Sequence, residues 1–139
     1  MALQRPARRR ANATIEFAFW LPILLTMTSG LMDYVWYMTR YTNVARAARD
    51  GARIGATVFE GEDVTPGDIV VPETVAQTKA ILDLVNMPCE EGCDVTAEVT
   101  FLPFRAVEVE INYPFQPIFG YMPVPDNLYA RFILASDFQ

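Results

Sequence analysis

The sequence contains no histidine among its 139 residues. Histidine is the usual general base, the commonest metal ligand and the ordinary partner of a nucleophilic serine or cysteine. We therefore predict that the chain is not an enzyme and carries no metal or cofactor. The length and the 52% hydrophobic content suit one membrane anchor and one domain of about 80 residues, which leaves no room for a second full domain.

Basic residues are scarce after Val58. Residues 59–139 contain three basic and fourteen acidic residues, a formal charge of −11, whereas residues 1–10 contain four arginines and no acid. A surface of that sign repels nucleic-acid phosphates, so we predict no nucleic-acid partner.

Cysteine is also rare, since Cys89 and Cys93 are the only two. Two thiolates cannot build a four-thiolate zinc site. The pair is either a disulfide or two free thiols, and export of this part of the chain favours the disulfide. The acidic segment from Glu60 to Pro72 does not have the spacing of an EF-hand calcium loop, which favours a solvated linker.

One long apolar segment is present. Residues 15–38 carry only two charges, Glu16 and Asp33, and 24 residues at a helical rise of about 1.5 Å can cross a bilayer. The uncharged stretch between the two acids, Phe17 to Met32, is short for a span. The arginines before it predict a cytoplasmic N-terminus, with the residues after Met38 on the opposite side of the membrane.

The helical pattern continues to about Val58 without a breaker. One face of this extension is made of small residues, and the helix-packing candidates on it are Ala48, Gly51, Ala52 and Gly55. Small residues spaced four apart allow close approach of another backbone. Either a neighbouring subunit or the chain's own sheet could cover this face, and the pattern serves both.

The remaining sequence predicts a second helix over Glu73–Asn86, ended by Pro88, and three strands. The helix would bury Val75, Thr78, Ile81, Leu82 and Val85. Alternation over Val95–Phe101 and Val107–Asn112, joined by Leu102–Arg105, predicts an antiparallel hairpin. Leu128–Ala135 follows a proline-rich stretch and reads as a third strand. The predicted class is α+β, with a leader over 1–11, a transmembrane and amphipathic helix over 12–58, and an acidic domain over 59–139.

Two other classes of function remain open. Ala45-Arg46-Ala47 has the form of a signal-peptide cleavage site, but the apolar run is longer than such signals use. A membrane-tethered enzyme could pair carboxylates among Glu98, Glu108 and Glu110. Strand alternation instead places these three on the polar, solvated face of a sheet.

The segment from Arg8 to Ala56 resembles the TadE-like pseudopilins, minor components of the tight adherence (Tad or Flp) pilus. The resemblance rests on Ile15–Ala18, Leu21-Pro22, Asp33 and Asn43–Arg53, and it covers about a third of the chain. It implies a single-pass protein of the bacterial inner membrane with a periplasmic domain, which becomes extracellular on assembly into a pilus tip or priming complex for adhesion. The implied partners are a prepilin peptidase, inner-membrane platform proteins, other minor pseudopilins and the major pilin.

The resemblance also implies a processing site. The peptidase would cut between Ala11 and Asn12, although Ala11 stands where prepilins most often have glycine. Asn12 would become the N-terminus, and its free amine could pair with Glu16 in an assembled bundle, with Phe17 beside it. The alternative for Glu16 is a carboxylate in the headgroup layer. Asp33 either marks where the helix enters water or pairs with an arginine, such as Arg40, of a neighbouring subunit.

Overall fold

The structure is a computed structural model that describes residues 7–59, 70–100, 106–121 and 123–135. For residues 7–12 and 58–59 it describes the backbone alone. The predicted leader before Ala7, the acidic linker over 60–69 and the hairpin connection lie outside these residues. The chain divides into two compact units. The anchor unit comprises Met1–Trp36 and Pro117–Val124, and the sheet unit comprises Tyr37–Gln116 and Pro125–Gln139.

Helix α1 runs from Ala7 to Phe59 as one continuous element, with Pro22 inside it. The predicted span and the predicted amphipathic extension are therefore one helix. Hydroxyl groups within its apolar part are satisfied by the helix itself: Thr28 donates to the Leu24 carbonyl at 2.7 Å, and Ser29 donates to the Leu25 carbonyl at 2.8 Å. Because these two hydroxyl hydrogens are already donated, they do not disfavour transfer of the helix into lipid.

Helix α2 spans Val70–Leu84, so both of its ends lie earlier than predicted. Asn86 ends it in the left-handed conformation at a φ of 58°. The Asn86 amide then donates to the Asp83 carbonyl at 3.0 Å, and the Met87 amide donates to the Leu82 carbonyl at 3.0 Å. These two bonds form a Schellman cap, and the apolar residues Leu82 and Met87 at its two ends are both fully buried. The cap ends the helix before Pro88 is reached.

The buried face of α2 agrees with the prediction at Thr78 and Leu82 and differs from it at the other positions. It comprises residues spaced four apart: Val70, Thr74, Thr78 and Leu82. Val85 is exposed, and Val75 and Ile81 are only half-buried. Threonine can occupy the core here because each hydroxyl bonds the preceding turn, Thr74 to the Val70 carbonyl at 2.6 Å and Thr78 to the Thr74 carbonyl at 2.7 Å.

Three antiparallel strands form the sheet in the order β1-β2-β3: Asp94–Thr100, Ala106–Pro114 and Asn127–Ala135. The register pairs Ala97 with Val109 and Val109 with Phe132. The predicted α+β class and all three strands are confirmed. The inner face of the sheet holds most of the buried strand residues: Val95, Ala97, Val107, Val109, Ile111, Leu128 and Ala130.

Two glycines set the close packing in the sheet unit. A methyl group on Gly51 would overlap the Thr78 hydroxyl, and one on Gly55 would lie 2.6 Å from the Thr74 hydroxyl and 2.9 Å from Val107 Cγ1. Ala48 and Ala52 are fully buried on the same face. Within the single chain, α2 and β2 therefore cover the small-residue face of α1.

Candidate functional site

The apolar part of α1 exposes large side chains along its length. Phe17, Leu25 and Met32 are each about 60% exposed. The candidate membrane span has a mean hydropathy of 1.5, and only 6% of its most apolar window is buried. A core helix of a water-soluble protein would be mostly buried. The helix is long and apolar enough to be a membrane anchor, as predicted, although an N-terminal signal sequence meets the same criteria.

Glu16 lies exposed on this helix, one residue before exposed Phe17. Among the groups that the structure describes, no hydrogen bond or ion pair of the Glu16 carboxylate is found. Ala11 and Asn12 belong to α1, but their side chains fall outside the described part. Cleavage between them and pairing with Glu16 remain predictions.

Asp33 is fully buried, although it is an acid near the end of the span. One carboxylate oxygen, Oδ1, accepts the backbone amides of Ile118 at 3.0 Å and Phe119 at 2.9 Å, and Oδ2 accepts that of Gly120 at 2.9 Å. Asp33 is thus not simply a solvated marker of the helix end, and its bonds join α1 to a loop 85 residues further along the chain. Arg40 donates to the Asn86 carbonyl of its own chain at 3.1 Å, and its pairing with Asp33 of a neighbouring subunit remains a prediction.

Sequence spacing gave no indication of this partner for Asp33. A signal was present in the composition of the proline-rich stretch, because no charged residue occurs from Ile111 to Pro125 although the surrounding domain is strongly acidic. An uncharged stretch of that length is more apolar than an ordinary solvated loop requires. This composition does not indicate that the stretch contacts Asp33, because contacts between distant parts of the chain are set by the fold.

A cluster of charged residues lies on the outer face of the sheet, where alternation predicts it. Arg131 forms an ion pair with Glu108 and a longer one with Glu110 at 3.5 Å, and Tyr129 donates to Glu110 at 2.7 Å. Glu98 faces Glu108 across the strand pair. Together with Thr96, these acids and Arg131 line a shallow depression.

The bonds of this cluster shift two pKa values. The hydrogen bond to the Glu110 carboxylate raises the pKa of the Tyr129 phenol above its ordinary value of 10.0. The hydrogen bond to the Glu108 carboxylate raises the pKa of the Arg131 guanidinium. Both groups are held more firmly in the protonated form, which suits stationary surface pairing rather than proton transfer near neutral pH.

A second surface feature, not anticipated from the sequence, lies between α1 and β3 of the sheet unit. Arg49, Asp50 and Arg53 line one groove with half-buried Phe132 and Leu134. The long stems of Arg49 and Arg53 can cover these apolar strand residues while the charged ends stay in water.

Cys89 and Cys93 form a disulfide, as predicted. It closes the connection between α2 and β1, in which the Cys93 amide donates to the Glu90 carbonyl at 3.1 Å. Gly92 holds a φ of 89°, which a side chain would strain. The bridge therefore fixes a tight turn. Among the described residues, no group of three or more acids or cysteines could hold a metal ion.

A protein-family comparison bears on the helix that carries Glu16 and Asp33. Residues 12–53 match the family model described as TadE-like protein. The N-terminal helix is TadE-like. The match confirms the resemblance expected from the sequence, and it associates the chain with Tad pilus components in general. No curated protein and no solved structure matches the chain significantly.

The TadE-like segment contains Glu16 and Asp33 of the anchor unit and three residues of the small-residue face of the sheet unit, Ala48, Gly51 and Ala52. It ends before α2, the disulfide and the three strands. The match therefore covers most of α1, whereas the capacity of this helix to anchor in a membrane follows from its length and hydropathy. The outer-face acids and the loop bonded to Asp33 lie beyond the matched residues.

Proposed function

We propose that this chain is a minor pseudopilin of a Tad-type pilus, processed by a prepilin peptidase and assembled into a tip or priming complex for adhesion. The TadE-like match over residues 12–53 carries the proposal. The match begins at Asn12, the residue expected to become the N-terminus. The exposed apolar surface of α1 supports it further, because this helix can serve first as a membrane anchor and then as the packing element of a fibre.

Processing would create the chemical group that Glu16 needs. Cutting between Ala11 and Asn12 frees an amine, and residues 12 and 16 lie four apart on one face of α1. Glu16 is exposed in the single chain, so its carboxylate is available to the amine of its own or a neighbouring subunit. A carboxylate–amine pair of this kind in hydrocarbon fixes the register of neighbouring subunits more than it adds to the net stability of the assembly.

The proposed setting is the bacterial inner membrane, with residues 1–11 cytoplasmic and the sheet unit periplasmic until assembly. The proposed partners are the prepilin peptidase, platform proteins of the inner membrane, other minor pseudopilins and the major pilin. Exposed residues such as Phe17 are the proposed intersubunit contacts. The glycine face is less suited to that role, because α2 already covers Gly51 and Gly55 in the single chain.

N-terminal sequencing of the protein extracted from membranes tests the proposal. Asn12 at the terminus is the expected result, and Met1 on the mature protein would contradict processing. Loss of residues 1–47 would instead indicate a secretory signal.

A further inference from the structure

The loop bonded to Asp33 has the properties of a segment that lies in lipid rather than in water. Asp33 directly follows the uncharged run that ends at Met32, and its side chain is 0% exposed. A buried carboxylate is unfavourable unless hydrogen bonds replace its lost water. The groups that bond the Asp33 carboxylate in place of water are therefore part of the environment at this end of the span.

Three consecutive backbone amides replace it, those of Ile118, Phe119 and Gly120. Successive amides can converge on one anion when the backbone turns at a left-handed residue, and Gly120 has a φ of +71°. The bonds are charge-assisted and are stronger than ordinary amide bonds. Asp33 thus satisfies the loop backbone at the same time as the loop satisfies Asp33.

The flanking residues add few further backbone donors. Pro117 and Pro123 have no amide hydrogen. Backbone can approach the hydrocarbon region only where its polar groups are satisfied internally, because lipid offers no hydrogen-bond partner. The bonds to Asp33 and the two native prolines both reduce the number of backbone N–H donors that this loop would leave unsatisfied in lipid.

The side chains of the loop point to the same environment. Ile118, Phe119 and Tyr121 are 57%, 48% and 65% exposed, and the rings of Phe119 and Tyr121 stack at 6.5 Å between centroids. In water, an exposed apolar cluster of this kind is unfavourable. Aromatic rings that combine an apolar body with a polar tip favour the boundary between lipid and water.

We propose that the loop segment over residues 117–121 lies in the membrane interface beside the end of the span, and that Asp33 is the residue that positions it. Lipid is the proposed partner because the loop belongs to the same compact unit as the exposed apolar helix, and because it carries no charge in an otherwise acidic region. The proposal goes beyond pilus assembly and does not depend on it.

A matched pair of tryptophan probes tests the proposal in the full-length protein. In a chain whose own tryptophans are replaced (Trp20→Phe, Trp36→Phe), Tyr121→Trp places a probe in the loop. Tyr129→Trp places the control probe on the charged sheet face, where Tyr129 is similarly exposed at 53%. Each protein is reconstituted at a low protein-to-lipid ratio into phosphatidylcholine vesicles, either plain or brominated on the acyl chains near the headgroup.

The loop probe is expected to emit at shorter wavelength than the control and to lose emission in brominated vesicles, whereas the control keeps its emission. Equal, unquenched emission from both probes would overturn the proposal, and so would equal quenching of both. A blue-shifted loop probe that bromine does not quench, and whose shift grows with the protein-to-lipid ratio, would also overturn it by indicating a second copy as the partner.

The role of Asp33 is tested separately by adding Asp33→Asn, which removes the charge and keeps the size of the side chain. The loop probe should then lose part of its bromine quenching, while the helical content by circular dichroism stays unchanged. Unchanged quenching would overturn the positioning role of Asp33. Restored quenching in Asp33→Glu would support it, because a carboxylate rather than a particular chain length would then be sufficient.

Discussion

The two compact units use one helix in opposite ways. In the anchor unit, α1 exposes large apolar side chains, and Leu25 is 58% exposed. In the sheet unit, α1 presents alanine and glycine, which are buried, and α2 lies close enough to exclude a methyl group at Gly51. The size of the side chain on a helix face therefore distinguishes a surface made for lipid from one made for close packing within the chain.

The largest expected effect falls on the anchor unit. Glu16→Ala is expected to abolish pilus assembly while membrane insertion and cleavage remain, because the variant removes the carboxylate proposed to pair with the Asn12 amine. Electron microscopy of cell-surface pili and the apparent mass of the membrane-extracted protein measure the two properties. Asp50→Ala is the matched control, since it removes another exposed acid of α1 and should leave piliation unchanged. Normal piliation in Glu16→Ala would contradict the proposed role.

The second effect concerns the close packing of α1 in the sheet unit. Gly51→Ala would bring a methyl group into Thr78 and is expected to destabilise this unit by about 1–3 kcal/mol, as overpacked cores do. This outcome is opposite to the gain of up to about 1 kcal/mol that alanine brings to an unconstrained helix position. Chemical unfolding of the detergent-solubilised protein, followed by circular dichroism, measures the change.

Two further variants make this test specific. Adding Thr78→Ala to Gly51→Ala removes the atoms that the new methyl group meets and should recover part of the stability, relative to Thr78→Ala alone. Leu25→Ala, on the exposed apolar part of the same helix, should leave the unfolding of the sheet unit unchanged. An increase in stability for Gly51→Ala would show that α2 does not pack closely enough against position 51 to exclude a methyl group.

The smallest effect concerns the outer face of the sheet. Because the Glu110 bond raises the pKa of Tyr129 in the folded protein, the stability it contributes is present below the unfolded pKa of about 10 and is lost as pH rises through the folded value. Tyr129→Phe should therefore lower stability slightly at neutral pH and show a smaller further loss in alkaline solution. Urea midpoints measured at a series of pH values test this, and Tyr121→Phe, outside the cluster, should follow the parent chain. Parallel alkaline losses in Tyr129→Phe and the parent would contradict it.

Most of the fold follows from local patterns in the sequence. The length of the apolar segment over residues 15–38 predicts the anchor, and alternation over Val107–Asn112 predicts both a strand and the face that its glutamates occupy. The errors fall where a local rule competes with packing. Thr78 was correctly predicted on the buried face of α2, but Val75 and Val85 were not, and Thr74 is buried in their place, because threonine hydroxyls bond the preceding turn and fit beside glycine.

The candidate site was predictable to a lesser extent. Glu16 and Asp33 stand out as acids at the two ends of an apolar run, and the order of motifs around them gave the TadE-like family. What each acid bonds to did not follow. Asp33 was assigned either water or a neighbouring arginine, whereas the fold gives it three amides of its own chain.

The sequence by itself determined that this protein has one helix able to cross a membrane, an acidic α+β domain and a TadE-like N-terminal segment, because periodicity, charge and motif order are local properties. Only the tertiary structure decided which elements cover the small-residue face of α1 and which groups bond the Asp33 carboxylate in place of water. Both depend on residues brought together from distant positions, and a local pattern can specify that a surface will be small or charged but not which part of the chain will lie against it.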